Sequence, residues 1–175
     1  MEQAVAVVEN QQAHEAPRAV GHFVVEVIRD GRVITRREGR NTVTAVGMAL
    51  LANRSFGDEV AGTSNRRIRF MQLGKGGTAA SSAQTNVRTQ IASGTLAGRQ
   101  TVVSVAMSGT RTAKWEHTWT ANEFAANGIR EVGLFNTKTT TAGADFGTMF
   151  ARFVFTTVNK TVSDTLKITW TLKVQ

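Results

Sequence analysis

The sharpest hydrophobic pattern in the chain lies near its end. In Thr165–Val174 (TLKITWTLKV), Leu166, Ile168, Trp170, Leu172 and Val174 alternate with Thr165, Lys167, Thr169, Thr171 and Lys173. Successive strand side chains point to opposite faces, so this spacing predicts a strand with one buried and one wet face. Residues 148–158 (TMFARFVFTTV) are dense in Phe and Val, and residues 159–164 supply a polar connection. The two segments predict a hairpin. Residues 129–136 (IREVGLFN) follow the turn dipeptide Asn127-Gly128 and predict a third strand.

The same reading extends back along the chain. Residues 22–29 and 32–38 flank Asp30-Gly31, a two-residue hairpin signal because Gly tolerates positive φ. Residues 42–53 (TVTAVGMALLAN) are the best helix candidate, with Thr42 or Thr44 as the cap. Residues 67–73 alternate arginine with apolar side chains, between loops at 57–65 and 74–83. Residues 101–107 and 112–120 predict another strand pair around Ser108-Gly109. Residues 1–20 lack a period and contain Pro17, the only proline. They predict an extended N-terminal arm ahead of a single β-rich domain over residues 21–175. Strands at this spacing with one short helix predict a mainly β fold, an antiparallel β-sandwich or partly open barrel.

Several of these segments together carry a resemblance. IREVGLFN, then GTMFARFVF, a Lys-containing loop and the closing TLKITWTLKV resemble small structural proteins of bacteriophage virions. The likeness extends to NTVTAVGMALL (41–51) and IRFMQLGKGGTAASSAQTNVRTQIAS (68–93). In particular the chain is similar to β modules of tail-fibre attachment regions and of stand-alone tail or capsid accessory proteins, the cement and decoration proteins. The resemblance implies a virion location and docking on major capsid or tail proteins. It also implies association with copies of itself, a trimer being the expected state. It is a likeness of fold, and it implies no catalytic residue.

Composition narrows the classes further. The 175 residues suffice for one domain with a real core. With no cysteine, the chain has neither disulfides nor thiolate metal sites nor a cysteine nucleophile. The longest apolar run, residues 45–52, falls far short of the ~18 residues of a membrane span, so no membrane partner is expected. The first residues are acidic and only briefly apolar, unlike a secretory signal. The formal charge of +8 is uneven, because residues 1–16 hold Glu2, Glu9 and Glu15 and no Lys or Arg. An acidic arm therefore leads a basic body, which favours acidic partners or self-association through complementary patches.

Candidate chemistry is sparse. Gly74-Lys75-Gly76-Gly77-Thr78 suggests a phosphate loop at first sight. A Walker loop needs Gly-x-x-x-x-Gly-Lys-Ser/Thr, and Arg69 and Gly76 stand where Gly and Ser/Thr are required. A flexible connection is the expectation. His14, His22 and His117 lack ligand spacing, and no Gly-x-Ser-x-Gly elbow exists. Glu116, Glu123 and Glu131 are scattered acids for which salt partners are expected. With no positioned acid, base or nucleophile, the chain is expected to be no enzyme, with no cofactor and no metal.

Two groups of residues invite a binding role. Trp115, His117 and Trp119 share one strand face, a stacking surface for single-stranded nucleic acid or a sugar ring. The simpler expectation is a pair of core tryptophans. Arg36, Arg37, Arg40, Arg66, Arg67 and Arg69 suit phosphates, or the carboxylates of a neighbouring subunit, since Arg pairs planar carboxylates well. The second is the expectation, and nucleic acid is not the expected partner. Those arginines, with Val5, Val7 and Val8 of the arm, are the candidate partner-interface residues. A host-glycan or nucleic-acid binding module is the competing class.

Overall fold

The computed structural model describes residues 19–49, 67–91, 100–101, 104–107, 112–138 and 148–174. Nine strands are present among them: β1 (Ala19–Arg29), β2 (Arg32–Val43), β3 (Phe70–Gly74), β4 (Gln100–Thr101), β5 (Ser104–Met107), β6 (Thr112–Trp119), β7 (Ala126–Phe135), β8 (Met149–Lys160) and β9 (Thr165–Val174). The protein is mainly β, with two antiparallel sheets that do not close on themselves. One sheet runs β5-β6-β9-β1-β2, and the other runs β4-β3-β7-β8. β2 joins them. Its first ten residues lie against β1, and then Thr42 and Val43 pair with Arg152 and Ala151 of β8. A strand that passes between sheets in this way makes a sandwich corner.

Alternation reads β9 correctly. Leu166, Ile168, Trp170 and Leu172 are buried, and only Val174, at 37 % exposure, runs out past the core. Trp170 is fully buried and meets Phe23 of β1 edge to face at 5.0 Å, while Phe23 lies 4.6 Å from Phe153 of β8. Rings from both sheets thus meet at the centre of the sandwich. The Trp170 indole N–H donates to Asn41 Oδ1 at 3.0 Å. Gly21 makes room for that amide, since a Cβ there would lie 1.4 Å from the same oxygen.

Three expectations need correction. The helix expected over residues 42–53 starts later, because Thr42 and Val43 are taken up by β2 and its pairing with β8. Residues 45–49 are helical (α1), and the rest of the expected helix lies outside the described residues. Thr44 is the cap: its Oγ1 accepts the Gly47 N–H at 3.0 Å. The strand expected over residues 101–107 is two strands in opposite sheets, β4 against β3 and β5 against β6. An alternating pattern cannot mark the point where a chain changes sheets. Its expected turn, Ser108-Gly109, lies outside the described residues. Finally, β1 reaches back to Ala19, so the last two residues assigned to the arm are strand.

β7 breaks the simple alternation in a way that matters below. Its register against β8 shifts between Ile129 and Glu131, the mark of a β-bulge. Ile129, Val132 and Leu134 all reach the main core as a result. Phe135 falls instead in a second cluster with Val87 and Met149, against which Phe70 packs.

Candidate interaction surface

The Gly-rich segment after β3 closes on a carboxylate of the protein itself. Glu131 is fully buried. Its Oε1 accepts the N–H groups of Gly76 at 2.7 Å and Thr89 at 3.0 Å, and Oε2 accepts that of Arg88 at 3.1 Å. Arg152 of β8 supplies the countercharge: Nε donates to Oε2 at 2.8 Å and Nη2 lies 2.6 Å from the same atom. Nη1 of Arg152 goes on to the Thr78 carbonyl and the Gln84 side chain, both at 2.9 Å. Converging backbone amides form an anion-binding nest, and here the anion is built in. Gly74 and Gly76 are small for this reason, since a Cβ on either would lie 2.4 or 2.5 Å from Oε1. The segment is a connection, as expected, but a tethered one rather than a flexible one.

The aromatic strip on β6 belongs to the core. Trp115, His117 and Trp119 are buried. The Trp115 indole N–H donates to the Ile68 carbonyl at 2.9 Å, and His117 meets Trp119 edge to face at 4.3 Å. These rings offer no face to a base or a sugar. The three acids are likewise kept apart by their own partners: Glu116 pairs with Lys114 and Lys167, each at 3.3 Å, Glu131 with Arg152, and Glu123 accepts the Thr120 N–H.

The candidate arginines divide by sheet. Arg36, Arg37 and Arg40 follow one another along β2, whereas Arg67 and Arg69 lead into β3. Arg36 is exposed and bridges Glu26 at 2.6 Å and Glu38 at 2.9 Å. Arg40, Arg67 and Arg69 are exposed, and among the described residues no carboxylate lies within salt-bridge distance of them. Arg37 is half-buried; its Nη1 donates to the Arg36 carbonyl at 2.9 Å, while its Nε is buried without an acceptor among the described residues. Val5, Val7, Val8 and Arg66 lie outside the described residues.

Arg37 stands beside an opening between the two sheets. β2 and β8 pair only at Thr42 and Val43, and beyond that corner they diverge. A cleft of about 450 Å³ fills the angle, lined by Arg37, Glu38, Arg130 and the β8 run from Phe153 to Thr157. The Arg130 guanidinium extends over Gly77, where a Cβ would come within 2.7 Å of its central carbon. Sequence reading identified Arg37 but missed Arg130. Nothing in IREVGLFN announces that a bulge turns this side chain toward a seam.

The strand connections carry a second buried ionic group. Asp164, before β9, accepts Arg29 Nε at 2.7 Å and Nη2 at 3.1 Å, together with the N–H and hydroxyl of Thr161, both at 2.8 Å. The Arg29 hydrogen bonds, ahead of those from Thr161, hold the Asp164 carboxyl well below the usual carboxylate range. Lys160 is buried beside it, donating to the Phe124 carbonyl at 2.9 Å and lying 4.8 Å from the Phe124 ring centre. Burial pushes its ammonium pKa down.

Among the described residues no cluster of three metal-ligating side chains occurs, and no helix is long and apolar enough to cross a membrane. Set against protein-family models, curated proteins and solved structures, the chain finds no match.

Proposed function

We propose that this protein is a non-enzymatic structural component of a bacteriophage virion. It docks in many copies on the capsid, as a cement or decoration subunit, or on the tail. The reading begins from the resemblance carried by IREVGLFN, GTMFARFVF and TLKITWTLKV. The observation that supports it most is the open seam between β2 and β8, where two strand edges face one cleft beside exposed arginines. Uncovered edges invite pairing with another chain, and stable proteins cover them with a neighbour or a segment of their own. On a symmetric scaffold, modest contacts of this kind add through copy number and closure rather than through one strong site.

The competing reading as a glycan or nucleic-acid binder loses its aromatic platform, because the β6 rings are core. Of the candidate arginines it retains Arg40, Arg67 and Arg69, which are exposed and have no carboxylate partner among the described residues. Mass spectrometry and electron microscopy of purified particles from the source that encodes the chain test the proposal. The expected result is many copies per particle at symmetric positions. A chain present in the lysate but absent from the particles overturns it.

A further inference from the structure

Among the described residues, β2 from Arg32 to Asn41 pairs on one edge only, with β1. β8 from Phe153 onward likewise pairs on one edge only, with β7. The two free edges line the same cleft, so backbone donors and acceptors face it from both sides. Its volume of about 450 Å³ lies in the size class of ligand clefts, ~300–1,000 Å³. Phe153 and Phe155 give it an apolar floor, and Arg37 and Arg130 give it a cationic rim. Glu38 offsets part of that charge, since it shares Arg36 with Glu26, and the two arginines still leave the rim net cationic.

We infer that this seam is a slot for an added strand, and that its occupant is residues 4–8 of a neighbouring copy. That segment, AVAVV, is rich in β-branched valine and is flanked by Glu2 and Glu9. Apolar side chains between two carboxylates complement an apolar floor between two guanidiniums. Main-chain hydrogen bonds to a free edge supply affinity in this mode, and side-chain pockets supply register. Eighteen residues precede β1, and at ~3.3 Å per extended residue they reach far enough to leave their own molecule. The source of the strand, a second copy, rests on the multi-copy reading above.

The absence of cysteine makes the test clean. One population of the full chain carries Val7→Cys and a second carries Thr156→Cys, at an exposed position on the cleft wall. The two are mixed under mild oxidation and resolved on a non-reducing gel. The expected result is a covalent heterodimer, weakened severalfold when the Thr156→Cys copy also carries Arg37→Glu. A partner bearing Val162→Cys, exposed in the β8–β9 connection away from the cleft, is expected to give none. Equal yields from Thr156→Cys and Val162→Cys partners, or no heterodimer at all, overturn the slot. A chain carrying both Val7→Cys and Thr156→Cys that links only within itself overturns the neighbouring copy as the source. Light scattering on the same variants separates the two readings. A multimer without the cross-link sinks the slot alone, and a monomer sinks the multi-copy reading.

Discussion

At the scale of single residues, four donors converge on the Glu131 carboxylate, three backbone amides and Nε of Arg152, and Nη2 of Arg152 adds its charge at 2.6 Å. A buried ion pair can often be replaced by apolar side chains at little cost. This one differs, because the amides of Gly76, Arg88 and Thr89 would lose their acceptor as well. Glu131→Gln is expected to destabilise the protein by about 3–5 kcal/mol, the range for breaking a buried pair. The Glu131→Leu, Arg152→Leu double variant is expected to recover little of that, since each orphaned buried amide costs about 1–3 kcal/mol. Urea denaturation of both variants decides it, and a double variant as stable as the parent would show the amides to be satisfied elsewhere. Trp170→Ala removes a fully buried ring in contact with Phe23 and leaves Asn41 without its indole donor. A loss of about 3–5 kcal/mol is expected, and an unchanged melting temperature would contradict the placement of this face.

Trp170 was legible in the sequence because it sits in unbroken alternation. The Glu131–Arg152 pair was not, although a signal existed. Glu131, next to Arg130, and Arg152 are charges in the largely apolar strand segments IREVGLF and FARFVF, and a buried charge requires a partner. What the sequence could not supply was the bulge that brings the pair under residues 75–91.

At the scale of elements, strands whose two faces differ were the readable ones. β9 agrees with its expected bounds to the residue, and the Asp30-Gly31 turn stands where expected, with both residues at positive φ (49° and 74°). The misses share a cause, a change of partner along one continuous segment. β2 continues into the second sheet, and the stretch expected as one strand over 101–107 serves both sheets. Periodicity records which side of a strand is buried and is silent about which neighbour it pairs with.

The connection before β9 gives this scale its own test. The Asp164 carboxyl is held below its ordinary range by Arg29 first and Thr161 second. A lowered folded-state pKa gives stability that is complete above the unfolded value of ~3.9 and is lost as pH falls through the folded value. The melting-temperature gap between the parent and Asp164→Asn is therefore expected to stay constant from neutral pH to about pH 5 and to shrink in stronger acid. A gap that grows on acidification, or that is absent at neutral pH, would contradict the assignment.

At the scale of the whole molecule, the feature on which the proposal rests is the opening at the β2–β8 corner. Exposed arginines surround a basic body, and the acidic segment that precedes it carries the opposite charge. If those cations serve protein carboxylates, a mobility-shift titration at low salt is expected to show no retention of single-stranded DNA. Binding that falls steeply with added salt would instead assign them to phosphates. The central claim, that the chain works as one of many associated copies, is tested most directly by multi-angle light scattering of the full chain at increasing concentration. The expected result is a discrete multiple of the 18.9 kDa chain mass, a trimer first. A monodisperse species of 18.9 kDa at every concentration would contradict it.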